Sequence, residues 1–96
     1  MIIVLVRYKC KPGQREQYLD AIDTNNIGKL SQSEEGNIRY EYSYGIHDDE
    51  LLLTEVWKDE AAIEVHKNSA HFVKLGDLKA EFVEDTEILR YRAEAL

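Results

Sequence analysis

The sequence contains one cysteine and one proline, and its nineteen acidic residues outnumber its twelve basic ones. A single thiol, Cys10, cannot form an intrachain disulfide, and it is interpreted as a packed strand residue. The basic residues are scattered along the chain, so a surface that follows nucleic-acid phosphates is not expected. The formal net charge of −7 favours solubility without indicating a particular partner.

Long hydrophobic runs are also missing, and none approaches the roughly 20 residues that a membrane-spanning helix needs. The apolar opening of the chain is followed rather than preceded by basic residues, and no cleavage site of small residues comes after it. It is therefore interpreted as a β-strand and not as a signal peptide, and a cytoplasmic location is expected. No repeat, linker or low-complexity tract divides the 96 residues, so residues 1–96 are predicted to form one domain with a thin core.

Several motifs of enzyme chemistry are absent. No glycine-rich loop connects a strand to a helix, which argues against a dinucleotide or P-loop site, and no GxSxG motif suggests a serine hydrolase. His66 and His71 are five residues apart, whereas the two histidines of an HExxH zinc helix are four apart. No metal site is predicted.

Hydrophobic periodicity predicts strands at 2–10, 38–44, 51–57 and about 86–93, with helical segments after the first and third. The polar stretch Thr24-Asn25-Asn26 interrupts the first helical region, where either a kink or two short helices is expected. Asp59 and Ser69 are predicted to cap later helices. The order β-α-β-β-α-β is typical of a ferredoxin-like α+β fold, a four-stranded antiparallel sheet with helices on one face.

The opposite face of this sheet has no second layer to cover it. The first and third strands carry large apolar residues on both sides, and an apolar face of that size is rarely left exposed to water. We therefore expect a second copy of the chain to cover it in a symmetric homodimer.

The segment 51–72 contains the strongest indications of a functional site. Trp57 ends a strand, and His66 lies on the apolar stripe of the helix that follows, so an indole and an imidazole are expected at one end of the sheet. An imidazole there can transfer protons near neutral pH or hold a substrate oxygen. The alternative is a hydrogen-bonded structural histidine.

Other side chains could complete this pocket. Glu55 lies on the same side of its strand as Trp57 and could accept a proton, or it could pair with an arginine such as Arg90. Asn25, at the helix break, could face a ligand or act as a cap. Tyrosines on one face of the second strand could line the pocket or pack across strands; they are Tyr40, Tyr42 and Tyr44.

Four segments of the chain are similar to one known family. They are the first strand continuing into KPGQREQYLDAI, then EEGNIRYEY, LLLTEVWKDEAAIEVHKNSAHF and the terminal EDTEILRYRA, which together span nearly the whole chain. They resemble the antibiotic biosynthesis monooxygenase (ABM) domain family, especially its small bacterial quinol monooxygenase members. The segment NNIGKLSQSEEGN is also similar to relatives that process a quorum-sensing signal.

The resemblance implies ferredoxin-like subunits that pair through their sheets into a dimeric α+β barrel, with one pocket in each subunit. It implies oxygenation of a small aromatic substrate by molecular oxygen without flavin, haem or metal. Trp57 and His66 match the family's most recurrent positions, and Glu55, Tyr40 and Asn25 also correspond to family positions.

The chain departs from two branches of this family. The members that act on aromatic polyketides use a tyrosine and an asparagine where this chain has Ile63 and Leu53, so such a substrate is not expected. The haem-degrading relatives need an asparagine where this chain has Val6, so haem degradation is not expected either.

The leading hypothesis is a cofactor-independent monooxygenase that oxidises a small quinol-like or enolisable aromatic compound. Its catalytic residues would be His66, Trp57 and Glu55, and its substrate-binding residues Tyr40, Asn25, Tyr44 and Arg90. One alternative is an isomerase or degrading enzyme for a small signalling molecule, whose phosphate would need Arg39, Arg90 or Arg92 as an anchor. The other is a dimer that binds a small molecule without catalysis.

Overall fold

The computed structural model describes residues 1–96 and has eight elements. The strands are β1 (Ile2–Cys10), β2 (Asn37–Tyr44), β3 (Glu50–Trp57) and β4 (Val83–Arg92). The helices are α1 (Arg15–Thr24), α2 (Ile27–Gln32), α3 (Glu60–Lys67) and α4 (Ala70–Phe82). The strands pair antiparallel in the order β2-β3-β1-β4, which confirms the ferredoxin-like α+β fold.

Local sequence signals account for the ends of the helices. Asn26 adopts the left-handed conformation with φ 55°, which separates α1 from α2. Of the two predicted alternatives, a kink or two short helices, the structure has two helices. Asp59 and Ser69 cap α3 and α4 as predicted, since each side-chain oxygen accepts a backbone N–H of the first turn. None of the helices has the length and hydrophobicity that crossing a membrane requires.

The core lies between the helices and one face of the sheet, which we call the inner face. Alternate residues of the central strand β1 are buried there, and they are Ile2, Val4, Val6, Tyr8 and Cys10. Tyr18 and Ile22 of α1 and Leu75 and Leu78 of α4 pack onto the same core. Burying each large apolar side chain contributes about 1.5–3 kcal/mol, so this face provides most of the stability of the domain.

The other face of the sheet, which we call the outer face, is apolar and open to solvent. Leu5 of β1 pairs in register with Leu89 of β4, and their exposed fractions are 40% and 44%. Ile3 pairs with Tyr91 beside them, and Tyr91 is 52% exposed. The sheet therefore has the uncovered apolar face that the alternation of β1 predicted.

The loop before β2 approaches α3 so closely that only glycine fits at Gly36. A Cβ added there would lie 2.2 Å from the Cβ of Ala62, and the Gly36 carbonyl accepts the backbone N–H of Lys58 at 2.9 Å. This contact holds the preceding Glu34 beside α3.

Replacing Gly36 with alanine should therefore destabilise the fold by about 1–3 kcal/mol, because the added methyl group must displace a helix. The matched control is Gly76→Ala in the interior of α4, where an added Cβ meets nothing within 4 Å. That change should stabilise the protein by about 0.5–1 kcal/mol. Urea unfolding of both variants measures the difference, and equal stability of the Gly36 variant and the unchanged protein would contradict the close approach.

Candidate functional site

A cavity of about 470 Å³ lies between the inner face and helices α3 and α4. Its apolar surface comes from the sheet on one side, through Val4 and Val6, and from the helices on the other, through Ile63 and Leu75. Seven polar or charged side chains also line it: Tyr8, Tyr40, Glu55, His66, Lys67, Lys79 and Arg90. Four of the residues predicted for the site, Tyr40, Glu55, His66 and Arg90, therefore share one cavity.

The imidazole of His66 is held among aromatic rings. It faces the sheet from the apolar side of α3 and is only 4% exposed. Its ring centroid lies 4.6 Å from that of Trp57, 5.8 Å from that of Tyr40 and 5.2 Å from that of Phe72. The predicted meeting of an indole and an imidazole is thus present in the structure.

A carboxylate that the sequence did not single out joins this site. Glu34, in the loop before β2, places its Oε2 2.5 Å from Nδ1 of His66 and 2.9 Å from Nε2 of His71. The Glu34 side chain is 13% exposed, and its Oε1 is buried without a hydrogen-bond partner. Glu34 and His66 are 32 positions apart, so no periodicity could pair them, although EEGN was part of the family resemblance.

The hydrogen bond to Glu34 determines which nitrogen of His66 carries hydrogen. Burial lowers the pKa of His66 below its ordinary 6.5, and the hydrogen bond and charge of Glu34 oppose that shift only in part. The ring is therefore neutral at neutral pH. Because a carboxylate can only accept, Nδ1 carries the hydrogen and Nε2 keeps its lone pair. His66 is thus in the state that a general base requires.

Trp57 positions the other cavity carboxylate. Its indole Nε1–H donates to Glu55 Oε1 at 2.9 Å, and burial raises the pKa of Glu55 while this hydrogen bond lowers it. Trp57 is fully buried and packs behind His66, so it does not line the cavity as the predicted stacking wall. Burial also raises the pKa of Tyr40 to about 12, which keeps its phenol neutral and able to donate.

Asn25 and Tyr44 lie outside this cavity, in contrast to their predicted role as substrate-binding residues in one pocket. The Asn25 side-chain amide donates to the Ala21 carbonyl at 2.7 Å, which is the capping alternative. Tyr44 is 54% exposed at the end of β2, and the guanidinium of Arg15 lies 4.3 Å from its ring centroid. The Asn25 side chain is therefore held by a backbone carbonyl, and the Tyr44 ring contacts the side chain of Arg15.

Glu34, His66 and His71 also form the one group of three side chains close enough to be considered as metal ligands. Two ligands of a tetrahedral zinc ion with bonds of 2.0–2.1 Å lie about 3.3 Å apart. The 2.5 Å between His66 Nδ1 and Glu34 Oε2 is shorter than that, which indicates a hydrogen bond between the two atoms with no ion between them. As arranged here, the three residues fit a hydrogen-bonded cluster better than a metal centre.

Comparisons with known proteins agree on one family and one fold. The model of a family described as antibiotic biosynthesis monooxygenase matches residues 1–77. The chain is 34% identical over 73 residues to the Bacillus subtilis protein named "Putative monooxygenase YcnE", with 75% of each chain covered. Among solved structures, a conserved protein from Methanosarcina mazei superposes with a TM-score of 0.85 at 27% identity, covering 97% of this chain and 92% of that one. A Nitrosomonas europaea protein named "Putative antibiotic biosynthesis monooxygenase" gives 0.86 at 24% identity, covering 97% and 98%.

Proposed function

Because the chain belongs to the antibiotic biosynthesis monooxygenase family, we propose that this monooxygenase oxidises a small quinol-like or enolisable aromatic compound without a bound cofactor. The observation that carries the proposal is the imidazole of His66, which is hydrogen-bonded to Glu34 through Nδ1 and lines a largely apolar cavity. A quinol or an enolisable ketone needs such a base, because only its anion gives an electron to oxygen readily.

The reaction begins when His66 Nε2 removes a hydroxyl or acidic C–H proton from the substrate. Glu34 then stabilises the imidazolium through the Nδ1–H hydrogen bond, while the neutral phenol of Tyr40 and the carboxyl of Glu55 orient the substrate. The substrate anion supplies the electrons that reduce oxygen. One oxygen atom enters the product, which has lost two hydrogens, and the other leaves as water.

Oxygen uptake tests this function directly. Naphthoquinols and small enolisable aromatic ketones should consume one O₂ for each substrate molecule in buffer free of flavin and containing a chelator. Labelled oxygen should appear once in the product and once in water. Uptake no faster than the spontaneous oxidation of every compound tried would contradict the proposal.

The proposed enzyme is a homodimer that pairs through the outer face. The support is the apolar, exposed pair Leu5 and Leu89 at its centre, which no part of the chain covers. Each inner face keeps its own cavity in such a dimer.

Leu5→Lys should convert the dimer into a monomer, because a buried ammonium in an apolar interface has no partner. Light scattering coupled to size exclusion should then give a mass near 11.2 kDa, and the unchanged protein should give twice that mass. Ile46→Lys is the control, since Ile46 is 95% exposed in the hairpin loop and away from the outer face. A monomer in the unchanged protein would contradict the proposed pairing.

A further inference from the structure

Some of the basic side chains that form no ion pair in this acidic chain lie together in the cavity. Seven of the twelve basic side chains lie within 4.0 Å of a carboxylate, and those without one are Lys11, Lys29, Lys74, Lys79 and Arg90. Two of the five, Lys79 and Arg90, line the same cavity. It is also lined by Lys67, which pairs with Glu64, and by one carboxyl group, Glu55, whose pKa the charge of Arg90 lowers. In a chain with a net charge of −7, this local excess of positive charge indicates an anionic ligand.

The sheet register separates the polar groups of the cavity into two ends. Tyr40 pairs with Glu55, Glu55 with Val4, and Val4 with Arg90, so the four residues form one row across the inner face. Glu55 and Arg90 are two strands apart, or about 10 Å between backbones. The base and its hydrogen-bonding neighbours therefore lie at one end of this row, the backbone of Arg90 lies at the other, and Val4 lies between them.

Helix α4 adds its own cation from above this floor. The ammonium of Lys79 lies 5.9 Å from the ring centroid of Tyr8, which is on the inner face of β1. The two other arginines that could have anchored an anion are occupied elsewhere, since Arg39 pairs with Glu41 and Arg92 with Glu60.

From this arrangement we infer that the substrate carries a permanent acidic group, a carboxylate or a phosphate, which Arg90 binds with help from Lys79. Its reacting hydroxyl then lies at the His66 end. The two side chains reach toward each other over backbones about 10 Å apart, so the acid and the hydroxyl are closer together than that, as they are in a bicyclic aromatic acid. A guanidinium binds both oxygens of such a group at once, which fixes the orientation of the substrate as well as its affinity. This inference deepens the proposed function and rests on it for the identity of the reacting hydroxyl.

The competing explanation is that these cations stabilise the anion which the reaction itself creates. The two explanations differ in what they predict for substrates with and without an acidic group. A permanent acid contributes to binding, so losing its anchor raises KM. Stabilisation of the reacting anion appears in kcat and would be lost equally for neutral and acidic substrates.

The test compares 1,4-dihydroxy-2-naphthoate with 1,4-dihydroxynaphthalene in the unchanged protein and in Arg90→Met, Lys79→Met and Lys74→Met. Lys74 is the matched control, because it is another unpaired lysine of α4 but does not line the cavity. We expect Arg90→Met to raise KM for the acid about tenfold to a hundredfold more than it raises KM for the neutral quinol. Lys79→Met should act in the same direction but less, and Lys74→Met should change neither substrate.

Anaerobic binding of the unreactive 2-naphthoate, followed by calorimetry, separates this inference from the proposed function. Weakened binding in the Arg90 variant would support the acid site even if neither quinol were oxidised, an outcome that would overturn the monooxygenase proposal alone. Equal KM values for the acidic and neutral quinols in both proteins would overturn the acid site while leaving the oxidation intact. An equal loss of kcat for both substrates would also overturn it, in favour of the competing explanation.

Discussion

Replacing His66 with glutamine should lower kcat for oxygen uptake by about 10²–10⁴-fold, the usual contribution of a positioned general base. Glutamine can still donate a hydrogen bond to Glu34 but cannot take a proton from the substrate. KM should change little, because the cavity surface that binds the aromatic ring remains. The measurement is oxygen consumption with a reduced naphthoquinol, corrected for spontaneous oxidation.

Two control histidines make this prediction specific. His47→Gln, in the exposed hairpin loop, should have no effect. His71→Gln should have a smaller effect than the change at His66, since His71 shares the Glu34 oxygen but does not line the cavity. Free imidazole should restore part of the activity of His66→Ala, whose enlarged cavity has room for it. An unchanged kcat in a folded His66→Gln variant would remove this residue from the mechanism.

Replacing Glu34 with glutamine should lower the maximal rate by about tenfold to a hundredfold, because the imidazolium loses its anionic partner and the base becomes weaker. Glutamine keeps an oxygen that can accept the Nδ1–H of His66, so the change tests mainly the charge. Glu35→Gln is the neighbouring control, since Glu35 is exposed and only approaches Lys58 at 3.9 Å. The rates are compared on the pH-independent plateau.

The pH profile of the Glu34 variant gives a second, independent outcome. Activity requires neutral His66, so it should fall in acid through the pKa of His66, which burial places below 6.5. The carboxylate of Glu34 raises this pKa, so removing its charge should lower the pKa further. The acid limb should therefore move to lower pH in Glu34→Gln. A limb that stays in place or moves to higher pH would show that Glu34 does not act on the titrating base.

The fold was predictable because its signals are local. Alternation identified β1, the polar break at Asn26 divided the first helical region, and Asp59 and Ser69 were recognisable caps. The same period-two rule placed Glu55 and Trp57 on one face, and the structure joins them by a hydrogen bond. These features depend on residues close together in the chain, which a single sequence can reveal.

The site was less predictable, because it depends on contacts between distant segments. Glu34 reaches His66 across 32 positions, and only the packing of a glycine loop against α3 brings them together. Trp57 was expected to contact the substrate. The structure instead buries its large indole behind His66, where it fills the core. Asn25 was ambiguous in the sequence, and a backbone carbonyl within its own helix supplies its partner.

Neighbouring residues on β1 face opposite sides of the sheet and so have different surroundings. Val4 faces the cavity and Leu5 faces outward, so one step along the strand passes from the surface that meets the ligand to the surface proposed to meet the second subunit. In the proposed dimer, substitutions at Val4, Val6 or Tyr8 would thus change the cavity without touching the subunit interface, and those at Ile3 or Leu5 would do the reverse. Such a strand lets a lineage diversify its chemistry while its quaternary structure is inherited unchanged.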